Sequence, residues 1–199
     1  MQTINHQFSS ESFYIPNWEV QHLFVGTFNP EGGARVPYYY GREKNQLWPL
    51  LSEIFHAEFN PSSDNFWELL RRHKIACIDM IHSVTASEEH IDAIIGKGYK
   101  DSEIINRAVA RTYNTSSIIQ LIAKNHGIRV YSTWGNGSSL REWRAEVQQL
   151  GALIPLVSPS LAARVPKGEA KYNYLFSDWL NKVGQLTVNS QFEPFYIKS

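Results

Sequence analysis

Four short apolar runs constrain this chain most: residues 23–28, 75–79, 128–134 and 153–157. Each is a continuous stretch, the pattern of a strand covered on both faces rather than one half wetted. Between the runs, apolar residues fall at helical spacing. In 45–55, Leu47, Leu50, Leu51 and Ile54 share one stripe, and 64–73 carries Phe66, Trp67, Leu69 and Leu70. Further helical patterns cover 102–112, 116–125, a stretch from 138 or 139 to 150, and 171–183. Strands alternating with helices predict an α/β fold, a mostly parallel sheet with helices on both faces. One domain over 1–199 is expected, since domains run to about 100–200 residues.

Composition removes several functions. Lys plus Arg and Asp plus Glu are both 19, so the formal net charge is zero and a broadly basic nucleic-acid coat is excluded. Any contact with nucleic acid must use a local patch. Cys77 is the single cysteine, which excludes a disulfide framework, a cysteine-rich zinc site and a four-cysteine iron–sulfur cluster. The seven histidines form no H-E-x-x-H, and His82 and His90 lack metal-ligand spacing, so neither metal nor cofactor is expected. Arg71-Arg72-His73-Lys74 reads as the cationic end of a helix. No apolar run approaches the roughly 18 residues of a membrane span. Met1-Gln2-Thr3-Ile4-Asn5-His6 resembles no leader. A cytoplasmic monomer without membrane contact is expected.

Open parallel sheets bind ligands at the carboxyl ends of their strands. The loops after Phe28, Asp79, Trp134 and Val157 are therefore the place to search. Gly26-Thr27-Phe28-Asn29-Pro30-Glu31-Gly32-Gly33 is either a tight Asn-Pro turn or a strand exit presenting one amide, Asn29, able to donate and accept. No Gly-Lys-Ser/Thr follows, so it is not a P-loop. Tyr38-Tyr39-Tyr40-Gly41-Arg42-Glu43-Lys44-Asn45 sets three tyrosines beside two cations just before a helix. These are surface aromatics with Asn45 as N-cap, or a platform for a flat base and its phosphates. Trp134-Gly135-Asn136-Gly137-Ser138-Ser139 falls short of the dinucleotide fingerprint, lacking a third glycine and an acidic partner. Val157-Ser158-Pro159-Ser160-Leu161-Ala162-Ala163-Arg164 offers two hydroxyls and backbone amides at an expected helix start, with Arg164 and Lys167 nearby. It is an anion site or a serine-capped turn.

Taken together, these loops resemble the uracil-DNA glycosylase superfamily. Gly26-Thr27-Phe28-Asn29-Pro30 is similar to the G-I-N-P-G motif of the mismatch-specific uracil/thymine glycosylases. Tyr39-Tyr40-Gly41-Arg42-Glu43-Lys44-Asn45-Gln46-Leu47-Trp48 resembles the Y-Y-A-H-P-R-N-Q-F-W run of the hypoxanthine-DNA glycosylases, and Ile78-Asp79-Met80-Ile81 their L-W-D-V strand end. Trp134-Gly135-Asn136-Gly137 sits where the family has F-N-G, and Leu156-Val157-Ser158-Pro159-Ser160 resembles L-P-N-P-S or L-P-S-T-S. The resemblance implies a three-layer α/β/α sandwich around a central four-stranded, mostly parallel sheet. It also implies a cofactor-free DNA repair enzyme that removes a damaged or mismatched base. Asn29 would position the attacking water, and Asn45 occupies a position serving catalysis or base binding in one branch. Gly26, Thr27, Phe28 and Tyr40 would bind the base, Tyr40 by stacking. Arg42, Lys44, Ser158, Ser160, Arg164 and Lys167 would hold the DNA. Arg42-Glu43 replaces the family's His-Pro, altering the pocket rim. The last motif lacks the histidine that some branches aim at the leaving base, a task left to backbone amides.

Two other functions compete. Gly26-Thr27-Phe28-Asn29-Pro30 also resembles the opening of the nucleotidylyltransferases that make dinucleotide cofactors. Those need an H-x-G-H to hold the triphosphate, and no histidine follows here until His56. The other is a non-catalytic nucleic-acid or nucleotide binder on the same fold.

Overall fold

The computed structural model describes residues 1–96, 104, 108–134 and 141–184. The four apolar runs form one sheet from β2 (His22–Gly26), β3 (Ile75–Asp79), β6 (Arg129–Ser132) and β7 (Ile154–Pro155). Its order is β3-β2-β6-β7 and every pair is parallel. All of β2 and β3 is buried, as continuous apolar runs require. Side chains alternate between two cores. Phe24, Ile75, Cys77 and Tyr131 enter one; Leu23, Val25, Ala76, Ile78 and Val130 enter the other. The first core is closed by α1 (Leu47–Phe55), α2 (Phe66–Arg72) and α6 (Lys171–Val183), through Leu50, Ile54, Leu70 and Trp179. The second is closed by α4 (Thr115–Lys124) and α5 (Arg141–Gln148), through Ile118, Leu121 and Trp143, and by a short α3 (Ile91–Ile95) carrying Ile94.

A second sheet also covers that core. β1 (Gln2–Asn5), β4 (Ile81–Ala86) and β5 (Ala108–Tyr113) pair antiparallel in the order β1-β4-β5. The helix expected over 102–112 is therefore corrected: its last residues are a strand, while 102, 103 and 105–107 lie outside the described residues. Val109, Thr112 and Tyr113 are strand-favouring types, and a ladder to β4 outweighs local helical spacing. The two sheets meet at Met80. Its N–H donates to Gly26 O at 2.9 Å, while its carbonyl accepts from Asn114 N–H at 2.7 Å. The chain start crosses the β2 exit there. His6 N–H donates to His82 O at 2.8 Å, and Gln7 N–H to Asn29 O at 2.9 Å.

The cationic run behaves as a helix end. Arg71 and Arg72 close α2, and Lys74 pairs with Glu19 at 2.7 Å. The Lys74 carbonyl accepts from the N–H groups of Gln21 and His22, which places the run at the amino edge of the sheet. The Gly-x-Gly stretch and its serines, 135–140, lie outside the described residues. Among the described residues no helix is long and apolar enough to cross a membrane.

Candidate functional site

The carboxyl ends of the parallel strands open into a cavity of about 480 Å³, inside the roughly 300–1,000 Å³ span of small-molecule sites. Five segments wall it. Thr27, Phe28 and Asn29 leave β2; Asp79 ends β3; Thr133 and Trp134 follow β6; residues 158–162 follow β7; Tyr40, Arg42, Lys44 and Asn45 lead into α1. The loops singled out by the sheet topology thus converge, and the segment before α1 joins them.

Asn29 hangs from the exit of β2 and donates from Nδ2 to Asp79 Oδ2 at 2.9 Å. A carboxylate only accepts, so the amide must give it the NH2 and turn its carbonyl oxygen elsewhere. Asp79 is buried at the end of β3, directly opposite Gly26 in the ladder. His6 donates to the same oxygen from Nε2, also at 2.9 Å. Gly26 lies beneath the cavity rather than on its wall. A Cβ there would stand 2.1 Å from Asp79 Oδ1 and 2.5 Å from the Tyr40 hydroxyl, so only glycine admits both groups.

The three tyrosines divide. Tyr38 and Tyr39 are wholly buried core residues, and only Tyr40 reaches the cavity. Tyr40 holds a left-handed backbone, φ 56°, which turns it away from its two neighbours. Thr133 Oγ1 donates to Val25 O at 3.1 Å, so its one proton is committed. The Tyr40 hydroxyl, 2.9 Å away, must then donate to it. Burial and the nearby Asp79 charge push the Tyr39 hydroxyl up, and the same two causes push the Cys77 thiol up. Cys77 is thereby kept a protonated core residue rather than a nucleophile.

Asn45, expected as the N-cap, stands one residue before it: Gln46 is the N-cap. The helix begins at Leu47, whose N–H donates to Asn45 Oδ1 at 2.9 Å. The next orphan donor, Gln46 N–H, goes to Pro159 O at 2.9 Å, stapling the β7 exit to the start of α1. With its oxygen so engaged, Asn45 has its NH2 to offer a ligand.

No helix begins at Ser158 or Ser160, a correction to the expected anion-binding helix start. The segment makes tight turns instead, with Ala163 N–H donating to Ser160 O at 3.1 Å, and the prolines 159 and 166 interrupt helical propagation. Ser158 donates to Ser160 Oγ at 3.2 Å, and both line the cavity. Behind them, Val157 N–H donates to Asp178 and Trp179 Nε1 to Val157 O, both at 2.9 Å, tying the loop to α6. Leu161 projects from this loop, 60% exposed.

Arg42 and Lys44 line the cavity wall. Arg164 belongs to an adjoining cleft of about 590 Å³, shared with Lys182 and meeting the first along Trp134, Ser158, Ser160 and Ala162. Lys167 is exposed and lines neither. Sequence reading passed over Asp79 as a site residue, together with His6, Thr133 and Leu161. An acidic residue ending a buried apolar strand was a visible signal for Asp79; none pointed to His6. Among the described residues no three metal-ligating side chains gather in one place. No family profile, curated protein or solved structure matches the chain.

Proposed function

We propose that this chain is a DNA glycosylase. It flips a deaminated or mismatched base into the cavity and hydrolyses its N-glycosidic bond without a cofactor, acting as a monomer on an α/β/α three-layer frame. The observation that carries the reading is Asn29, an amide at a strand carboxyl end whose NH2 is committed to Asp79 while its oxygen remains to orient water.

A base inside a duplex is out of reach, and extruding it costs a few kcal/mol. Tyr40 offers a face for the flipped base. The Ser158–Ser160 turn grips the backbone beside it, and exposed Leu161 fills the vacated stack as a wedge. Arg42, Lys44 and Arg164 attract the phosphates. The glycosidic bond then lengthens, positive charge grows on the sugar and negative charge on the base. The Asn45 NH2 and backbone amides favour the departing base. Asn29 is too weak a base to remove a proton early, so it aligns water with an already electrophilic carbon, and the proton the water sheds as its oxygen bonds that carbon neutralises the departing base anion.

The test is incubation with labelled oligonucleotides carrying uracil, hypoxanthine, xanthine or mismatched thymine, followed by alkaline cleavage of abasic sites. Strand breaks at one of these bases, and none on the undamaged control, are expected. Tight binding with no breaks on any substrate would replace the glycosylase with a non-catalytic binder on the same fold.

A further inference from the structure

Asp79 is held more firmly than a cavity-lining carboxylate needs to be. Its Oδ2 receives two donors, His6 Nε2 and Asn29 Nδ2, each at 2.9 Å. Its backbone carbonyl accepts from Asn114 Nδ2 at 2.8 Å. Gly26 leaves the space that Oδ1 occupies. His6 is equally fixed. It is wholly buried, and its Nδ1 accepts from Phe8 N–H at 3.2 Å. A ring nitrogen that accepts carries no proton, so the proton sits on Nε2 and points at Asp79. Phe8, Tyr14, Phe28 and Tyr39 surround the imidazole, with ring centroids 5.1–5.8 Å away. The chain of groups therefore runs in one direction: Phe8 N–H fixes His6, His6 fixes Asp79, and Asp79 fixes Asn29.

We propose that Asp79, locked by His6, is a positioning residue that holds the Asn29 amide with its oxygen toward the substrate. An amide left alone can rotate and present either end; one bonded to a pure acceptor cannot. The carboxylate also polarises the amide and makes its oxygen a better acceptor for the water proton. The inference rests on Asn29 orienting the attacking water.

Single-turnover cleavage, together with affinity for abasic DNA, tests it in wild type, Asn29→Ala, Asp79→Ala, the double variant and Asp79→Asn. Asp79→Ala is expected to lower the rate by about 10–100-fold, the usual effect of losing an orienting partner, with affinity nearly unchanged. Added to Asn29→Ala, it should lower the rate no further, because its effect passes through that amide. Asp79→Asn preserves the acceptor oxygen, since His6 Nε2–H still demands one, and should stay within about tenfold of wild type. Equal losses from Asp79→Ala in both backgrounds, or an affinity loss as large as the rate loss, would overturn the proposal. A second readout is independent of activity and separates this proposal from the glycosylase reading. In nitrogen-labelled wild type, His6 should show the neutral Nε2–H tautomer, and the Asn29 side-chain NH2 should exchange slowly. That protection should vanish in Asp79→Ala. If the Asn29 amide already exchanges like a free one in wild type, Asp79 does not position it, whatever bases the protein cleaves.

Discussion

Asn29 and Asn45 are the same residue type wired in opposite senses. Asn29 spends its NH2 on Asp79, and Asn45 spends its oxygen on Leu47 N–H. One has an acceptor left for a ligand, the other donors, and substitutions should separate them. Asn29→Ala is expected to slow single-turnover cleavage by about 10²–10⁴-fold with damaged-DNA affinity almost unchanged. Asn45→Asp keeps the oxygen that caps the helix and replaces only the NH2. It should leave the melting temperature unchanged or slightly raised while altering which base is cleaved; a substrate profile identical to wild type would remove Asn45 from base recognition. A third residue bears on stability rather than on the site. Burial first, then the Arg129 and His73 charges, lowers His22 from 6.5 to about 4. The unfolded chain takes up that proton below about 6.5 and the folded chain only below about 4. Stability should therefore fall as pH drops through this window and level off beneath it, with a contribution of about 3 kcal/mol at most. Urea unfolding between pH 7 and 4 should show a steeper loss in wild type than in His22→Gln.

Among the elements, the loop after β7 has the most consequence for the proposed action on DNA. It is braced by α6 behind and by Gln46 in front, and it carries Leu161 at 60% exposure. A braced apolar side chain suits wedging, so Leu161→Ala should slow cleavage in duplex about tenfold more than in single strand. Equal slowing on both would remove the wedge. β3 and α6 were legible to the residue in the sequence, because their apolar patterns are local. β4 and β5 were not. Ile81–Ala86 and Ala108–Tyr113 are strands by virtue of pairing with each other and with Gln2–Asn5, and no window of neighbouring residues encodes such a partner. The site divides on the same line. Asn29, Tyr40, Asn45 and Ser158 stand in recognisable loops beside strand ends or a helix start. His6 meets Asp79 from 73 positions away, through a crossing of the chain start that local pattern does not announce.

At the scale of the whole molecule the charge is balanced, while Arg42 and Lys44 line the cavity and Arg164 and Lys182 its adjoining cleft. DNA affinity should weaken with salt at a slope of about −4 or shallower, the release expected from four phosphate contacts. Arg42, Lys44, Arg164 and Lys167 are the candidates; if their joint replacement by alanine leaves that slope intact, the DNA lies elsewhere. The bond from Gln46 N–H to Pro159 O ties the site to the order of synthesis. The wall bearing Asn29, Tyr40 and Asn45 leaves the ribosome more than a hundred residues before the opposite wall, and that wall is braced only once Asp178 and Trp179 have followed. A nascent chain thus carries half a cavity through most of its translation. The two walls can close on a ligand only after α6 has been made, so any binding at this cavity reports a chain folded at least through Trp179.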